Sequence, residues 1–270
     1  MDDLLVSVIT PVLNCKRYIA YCLTSVLNQT HPLIEHILVE GGSTDGTLEI
    51  IQEYVLKYSH RIKLIIQKDK GVGGAWNQGI DAAQGQILGW LGADDIYEPE
   101  AVGIVVNFFE KNPKNYFVYG GQKFIDEHGK TLISCLPQPF DYNILLNRKQ
   151  MIHTTSAFFR RKVIDSVGKI DPLGNDYDFF LRVAEKFPIH SINYVLSHFR
   201  IHTESQTNGA SVRKRKMWLK AWCQTCLNHK GSRFSTYCLK YYLFSIFGWA
   251  LPFWNFVYFK ILKIFKKRLL

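Results

Sequence analysis

Apolar runs and amphipathic stretches alternate through the first 110 residues of the chain. Each apolar run is short, which is typical of a buried strand, and apolar positions at helical spacing follow it. Repeated strand–helix units of this kind favour a doubly wound, mostly parallel α/β sheet flanked by helices. We predict its strands at residues 4–10, 34–39, 62–66 and 87–91, with Pro11 ending the first.

The repeats become irregular in the next hundred residues. The same patterns predict shorter elements there, which is typical of an α+β arrangement. They are strands at 116–119, 157–159 and 192–201, a hairpin turn at 126–130 and a helix at 176–186.

Charge divides the chain near residue 210. Residues 211–270 contain thirteen Lys and Arg and no Asp or Glu, whereas residues 1–210 carry a net charge of −3. The stretch 241–259 is uncharged and rich in aromatic residues, which favour a membrane interface, and basic residues that favour anionic lipid follow it. We therefore predict a basic, aromatic-rich helical tail at 211–270 that associates with a membrane surface. The alternatives are a membrane span, packing on the rest of the chain, or a homo-oligomer contact.

The N-terminal residues and one basic cluster indicate where in the cell the protein is expected and which class of partner it binds. Residues 1–5 lack the basic and apolar regions of a signal peptide, so we expect a cytoplasmic protein, peripheral on the cytoplasmic face of the membrane. The cluster at 213–216 lies beside an apolar stretch and outside any nucleic-acid recognition module. This context favours lipid and argues against a nucleic-acid partner.

Two adjacent carboxylates, Asp94 and Asp95, follow the fourth predicted strand. Loops rich in glycine and polar residues also follow the first two strands, at 10–14 and 40–47. Because the carboxyl ends of parallel strands share one edge of a sheet, we expect all three loops to face a ligand there. Adjacent acids suit a hard cation and the phosphates that it carries, and a solvated turn or helix cap is the alternative.

These segments resemble the family 2 glycosyltransferases, which have the GT-A fold. The resemblance covers residues 4–205 and implies one domain, 1–210, with a nucleotide-binding half at 1–115 and an acceptor-binding half at 116–210. The matching motifs are Thr10–Asn14, Glu40–Thr47, Asp69–Gly79, Gly92–Asp95, His153–Arg161, Asn175–Arg182 and Phe199–Ser205.

The resemblance implies a role for each matching position. Glu40 replaces the usual Asp of the family and would accept a hydrogen bond from uracil, and Asp95 would bind Mn²⁺ or Mg²⁺ within a DXD motif. His202 would be a second metal ligand or a phosphate donor, unless it is simply a paired histidine at a strand end. The residues implied to bind the nucleotide sugar are Thr10, Pro11, Asn14, Glu40, Asp69, Asn77 and Asp94.

The predicted acceptor-binding half, 116–210, contains the residue that the resemblance implies as the proton acceptor. Asp176 matches the catalytic base of the family, and the alternative is an N-cap of the following helix. Asn175 departs from the Glu or Ala that the family usually has there. His153, Arg182 and Arg200 are expected to contact the acceptor or a phosphate.

The implied activity is that of a metal-dependent, inverting hexosyltransferase. It would move a sugar from a nucleotide sugar, with a UDP-sugar as the expected donor, to a saccharide or lipid-linked saccharide in surface polysaccharide or glycolipid synthesis. A non-catalytic nucleotide-sugar-binding module of the same fold is the alternative. A nucleotidyltransferase is disfavoured, because residues 10–17 lack the glycine-rich loop with an Arg-Lys signature.

The tail prediction can be tested by liposome flotation. We expect the full chain to float with vesicles that contain anionic lipid and a fragment of residues 1–230 to remain in the dense fraction, because the fragment lacks the aromatic stretch and the last basic residues. Equal flotation of the two proteins would contradict the membrane role.

Overall fold

The computed structural model of the chain describes residues 4–68, 71–148, 152–205 and 211–247. Its strands are β1 (Val6–Val12), β2 (Ile34–Glu40), β3 (Ile62–Ile66), β4 (Ile87–Trp90), β5 (Ile96–Tyr97), β6 (Phe117–Ile125), β7 (Thr131–Cys135), β8 (Ala157–Arg160) and β9 (Ile189–Arg200). Its helices are α1 (Ile19–Leu27), α2 (Thr47–Lys57), α3 (Val72–Ala82), α4 (Ala101–Lys111), α5 (Tyr142–Arg148), α6 (Lys162–Val167), α7 (Asp176–Lys186), α8 (Val212–Asn228) and α9 (Thr236–Phe247), with a 3₁₀ turn at Thr154–Ser156.

The chain forms two compact units. The first comprises Met1–Leu145 and Gln150–Gly209, and the second comprises Leu146–Lys149 and Ala210–Leu270. The grouping of residues 146–149 with the tail was not apparent from the sequence.

One sheet of nine strands organises the first unit, in the order β3-β2-β1-β4-β8-β6-β9-β5, with β7 paired to β6. Strands β1 to β4 are parallel, as the sequence predicted. Beyond them β8 runs antiparallel to both β4 and β6, and β6 lies parallel to β9. The carboxyl ends of β1, β2 and β4 therefore lie at one edge of the sheet, and their loops meet there.

The expectation that Pro11 ends the first strand is wrong. Strand β1 continues to Val12, and Pro11 pairs with Val39 of β2. Pairing of β1 with β4 stops at Ile9, so this last part of β1 has a strand on one side only. A proline is tolerated there, because a strand edge does not need its missing N–H.

Aromatic packing connects β4 to the helices on either side of the site. The ring of Trp90 stacks on Trp76 of α3 with 5.3 Å between centroids and meets Phe179 of α7 edge-on, also at 5.3 Å. Helix α3 also lies close to β1, since a Cβ on Gly79 would fall 2.3 Å from the Ile9 side chain. These contacts fix the positions of the first turns of α3 and α7 relative to the carboxyl end of β4.

The second unit contains α8 and α9, which confirms that residues 212–247 are largely helical. Among the helices within the described ranges, none combines the length and the apolar character needed to cross a membrane. Most of the uncharged stretch 241–259 and the basic residues after it lie outside the described residues.

Candidate functional site

Side-chain hydrogen bonds join the loops after β1 and β2. The Asn14 amide oxygen accepts from Thr44 N–H at 2.8 Å, and Asn14 N–H donates to the Ser43 hydroxyl at 2.9 Å. Asn14 has a φ of 48°, a left-handed conformation that asparagine adopts more readily than most residues. Asp45 accepts from Lys16 N–H at 2.9 Å. The predicted nucleotide-binding residue Asn14 therefore lies exposed at the rim of the site and holds two loops together.

Glu40, for which the sequence predicted a hydrogen bond to uracil, is bonded to its own loop. It is buried, and its two carboxylate oxygens accept from Gly42 N–H at 2.9 Å and from Ser43 N–H at 2.6 Å. A charged acceptor bonded to two backbone donors stabilises the turn in which Gly42 has a φ of 91°. This geometry assigns Glu40 to the loop, and a bond to uracil would have to compete with these two.

Thr10 also faces the interior. Its side chain is fully buried, and its hydroxyl lies 2.9 Å from Nε2 of His36 on β2. The next residue, Pro11, is partly buried within the strand. Thr10 was predicted to contact a base and ribose, but its side chain does not reach the surface of the protein.

Asp95 is the buried member of the acidic pair, with 2% of its surface exposed. Its Oδ1 accepts from the backbone N–H of Arg200 at 2.9 Å. Burial and the neighbouring Asp94 carboxylate raise the pKa of Asp95 well above its usual range, while the backbone N–H groups of Arg200 and Gly92 act in the opposite direction. Gly92 is required beside it, since a Cβ there would fall 2.5 Å from Asp95 Oδ2.

Asp94 is the accessible member of the pair. Its side chain is 25% exposed, and its Oδ2 lies 2.9 Å from Nε2 of His202. The His202 ring rests against Tyr18, with 4.6 Å between ring centroids. A carboxylate oxygen and an imidazole nitrogen thus meet at the carboxyl end of β4, hydrogen-bonded to each other, and the His202 side chain is 8% exposed.

The Arg200 side chain holds the backbone of Asp94 in place. Its Nε donates to the Asp94 carbonyl at 3.0 Å, and its guanidinium lies over the rings of Tyr18 and Tyr21, at 4.8 and 5.5 Å from their centroids. The residue is buried. The prediction that Arg200 contacts a phosphate does not fit this arrangement, in which the guanidinium bonds to backbone carbonyls.

Asp176 begins α7 and is partly buried. Its Oδ2 accepts from the Thr154 hydroxyl at 2.5 Å. The helix cap is provided by Asn175, whose side chain accepts from Asp178 N–H at 3.4 Å, so the N-cap alternative for Asp176 is wrong. Burial raises the pKa of Asp176, and the Thr154 hydroxyl partly offsets this.

Two predicted contact residues hold the segment before α7 instead. Asn77 donates to the Ile170 carbonyl at 2.8 Å and accepts from Ile170 N–H at 3.1 Å. Arg182 forms a 2.8 Å ion pair with Asp178 and donates to the Lys169 carbonyl at 2.9 Å. The predicted contacts of Asn77 with a nucleotide sugar and of Arg182 with an acceptor or phosphate are therefore not supported.

The remaining predicted residues are His153 and Asp69. The ring of His153 packs edge-on against Phe124 with 5.6 Å between centroids, directly before the 3₁₀ turn that carries Thr154. Asp69 lies outside the described residues. The sequence motif around His153 did not single out Thr154, although the threonine is part of the same matching segment.

A cavity of about 530 Å³ opens beside His202. Both carboxylates and cations line it, and most of these residues were missed from the sequence because none of them stands out when considered alone. The lining residues are Asn14, Cys15, Lys16, Arg17, Tyr18, Asp45, Ile50, His202 and Glu204.

Comparison with known proteins agrees with this arrangement of loops. Residues 7–168 match the family described as Glycosyl transferase family 2. The chain belongs to this family. It is 32% identical over 203 residues to chondroitin synthase of Escherichia coli, an alignment that covers 74% of this chain and 29% of that protein. This glycosyltransferase domain thus spans less than a third of that relative.

Solved structures show the fold of the glycosyltransferase domain. The structure of S. aureus TarS 1–349 in complex with UDP-GlcNAc matches with a TM-score of 0.64 at 17% identity, over 92% of this chain and 75% of that one. The mannosyltransferase PcManGT from Pyrobaculum calidifontis, in complex with GDP-Man and Mn²⁺, matches with a TM-score of 0.63 at 20% identity, over 92% and 72%. The predicted GT-A fold is confirmed.

The assignment of Glu40 to the loop can be tested by Glu40→Gln. The amide nitrogen of glutamine cannot accept, so the N–H of Gly42 or Ser43 loses its partner, and we expect a loss of about 1–3 kcal/mol in the free energy of unfolding. Glu40→Asp keeps the charge and serves as the control, with a smaller loss expected. Unchanged stability of Glu40→Gln together with an altered preference among UDP-, GDP- and dTDP-sugars would instead support base recognition.

Proposed function

We propose that this glycosyltransferase domain transfers a sugar, with inversion, from a UDP-sugar to a hydroxyl of a saccharide or lipid-linked saccharide. The observation that carries the proposal is Asp176, a partly buried carboxyl group at the start of α7 whose Oδ2 is hydrogen-bonded to Thr154. A carboxylate fixed in this way is suited to accept a proton from a bound hydroxyl.

A divalent cation, Mn²⁺ or Mg²⁺, fits the residues at the end of β4. Asp94 Oδ2 and His202 Nε2 lie 2.9 Å apart in a hydrogen bond, and both atoms would hold the cation in place of that bond, as oxygen and imidazole ligands suited to these ions. Among the described residues no group of three or more His, Cys, Asp or Glu side chains forms a metal site. We therefore propose two protein ligands, Asp94 and His202, in place of the Asp95 ligand that the sequence predicted.

The cation, when bound, would neutralise charge on the departing diphosphate. The chain itself contributes Asp176, which would take the proton of the acceptor hydroxyl as that oxygen attacks the anomeric carbon. Its raised pKa makes it a stronger base than an exposed aspartate. A single base opposite the leaving group implies direct displacement and an inverted product.

The surface near Gly41 supports a place for the nucleobase. Leu13 is 52% exposed although it is a large apolar residue, and it lies at the end of β1 beside Gly41. A Cβ on Gly41 would fall 3.6 Å from Leu13 Cδ1 and 3.0 Å from Gln67 Oε1. The absence of a side chain at Gly41 leaves the Leu13 surface open to a flat ring.

The acceptor class rests on two features. The relative named chondroitin synthase supports a saccharide acceptor. Exposed basic residues on α8, Arg213 and Lys216, support a site near anionic lipid and hence a lipid-linked saccharide. Flotation of the full chain with Arg213 and Lys216 both changed to Ser tests the second of these, because the 1–230 fragment keeps both residues.

The activity is tested by measuring diphosphate release from UDP-, GDP- and dTDP-sugars with Mn²⁺ and a panel of free and lipid-linked saccharides. We expect release from a UDP-sugar that depends on the acceptor, and Asp176→Asn should lower kcat by at least about 100-fold. Asp178→Asn, two residues along the same helix, breaks the ion pair with Arg182 and should retain most of the turnover. Because burial raises the pKa of Asp176, wild-type kcat should fall with acidification at a higher pH than an exposed aspartate would give.

Three results would count against this proposal. Near wild-type turnover of Asp176→Asn would exclude it as the base. Binding of nucleotide sugars without transfer to any saccharide would favour the alternative, a non-catalytic nucleotide-sugar-binding module. A product with retained anomeric configuration would exclude direct displacement.

The choice between the two carboxylates is tested by a matched pair of variants. Asp94→Asn should abolish the Mn²⁺-dependent part of UDP binding in calorimetry and leave the melting temperature near that of the wild type. Asp95→Asn should leave the Mn²⁺-dependent part of UDP binding intact, because Asp95 is buried and an amide oxygen can still accept from the backbone N–H of Arg200. If Asp95→Asn abolished Mn²⁺-dependent UDP binding and Asp94→Asn did not, Asp95 would be the metal ligand instead.

A further inference from the structure

A short polar turn presents a hydroxyl group to Asp176. Thr154 is the first residue of the 3₁₀ turn Thr154–Ser156, and its Oγ1 donates to Asp176 Oδ2 at 2.5 Å. The two residues lie on different elements, 22 positions apart. The direction of the Asp176 carboxyl therefore depends on how firmly the 3₁₀ turn is held.

A buried hydrogen-bond network holds this turn. Gln122 of β6 donates to Thr155 Oγ1 at 2.5 Å and to Ser197 Oγ at 3.1 Å. The Ser156 hydroxyl donates to the Gly121 carbonyl at 2.8 Å and lies 2.6 Å from Ser197 Oγ. Gln122, Ser156 and Ser197 are all buried. Two strands, β6 and β9, thus fix the turn through groups that are bonded to one another, and such networks are rigid when their members are paired.

We propose that Thr154 is a positioning residue for the transfer reaction, in which its hydroxyl fixes the rotation of the Asp176 carboxyl group. The inference rests on the proposed role of Asp176 as the base. The buried hydrogen-bond network acts on Asp176 indirectly, because it holds the 3₁₀ turn that carries Thr154. Its members are Gln122, Thr155, Ser156 and Ser197.

The surroundings of Asp176 make Thr154 the main polar side chain that acts on it. The contributions that lower the pKa of Asp176 come from the Thr154 hydroxyl and from the backbone N–H groups of Tyr177 and Asp176, against burial, which raises it. The charged or titratable neighbours on the packed elements are already engaged. Asp178 is paired with Arg182, Asp171 accepts from Leu173 N–H at 2.7 Å, and His153 packs on Phe124.

The test compares Thr154→Val with Thr154→Ser in the full chain. Protein labelled with ¹³C at the aspartate carboxyl carbons is titrated by NMR, and the Asp176 signal is assigned by its absence in Asp176→Asn. We expect Thr154→Val to move the Asp176 midpoint to higher pH, because it removes the donor to the charged form, and Thr154→Ser to restore it. Turnover with UDP-GlcNAc, or with the donor found in the screen, should fall about 10- to 100-fold in Thr154→Val, with the KM for the donor unchanged.

Thr155→Val is the matched control. It removes a hydroxyl from the same turn that contacts Gln122 and Ser197, so it should lower stability without moving the Asp176 midpoint. An unmoved midpoint in Thr154→Val would overturn the inference, and so would equal midpoint shifts in Thr154→Val and Thr155→Val. If Thr154→Val is unstable, Thr154→Ala takes its place in the same titration.

These results separate the inference from the proposed function. Active Asp176→Asn would contradict the base assignment, whatever Thr154 does. Inactive Asp176→Asn combined with an unchanged titration in Thr154→Val would leave the base in place and reject only the positioning role.

Discussion

The buried carboxylate of Asp95 joins two parts of the chain that are 105 residues apart. It accepts the backbone N–H of Arg200 at the end of β9, and the Arg200 side chain in turn donates to the carbonyl of Asp94. Because an unpaired buried carboxylate is costly, this pairing fixes the loop after β4 against the end of β9. Asp94 Oδ2 and His202 Nε2, which lie 2.9 Å apart, belong to these same two segments.

Most of the polar residues in the site loops stabilise the loops themselves. Glu40, Asn77, Arg182 and Arg200 bond mainly to backbone groups, and each therefore holds neighbouring residues in place. A preorganised site needs many such supporting residues for each reacting group. We propose the reacting groups to be Asp94, His202 and Asp176, with Thr154 holding Asp176.

The sequence predicted the fold well because its signals are local or repeated. Four strand–helix repeats and the hairpin at 126–130 follow from apolar spacing and turn residues, and the structure contains them. The sequence also located the segments of the site. By resemblance it gave Asp95 to a metal and Asp94 to the nucleotide sugar, and it could not show that Asp95 is buried, with its carboxylate bonded to the backbone of Arg200 far along the chain. Thr154 was not predicted from the sequence, because its hydrogen-bond partner Asp176 lies 22 residues further along the chain.

We propose that burial of Asp95 leaves Asp94 and His202 as the protein ligands of a divalent cation. Crystals grown with UDP and Mn²⁺ test this directly, through anomalous difference density measured near the manganese absorption edge. We expect one strong peak within bonding distance of Asp94 Oδ2 and His202 Nε2. A peak bonded to Asp95 instead, with its contact to Arg200 broken, would contradict it.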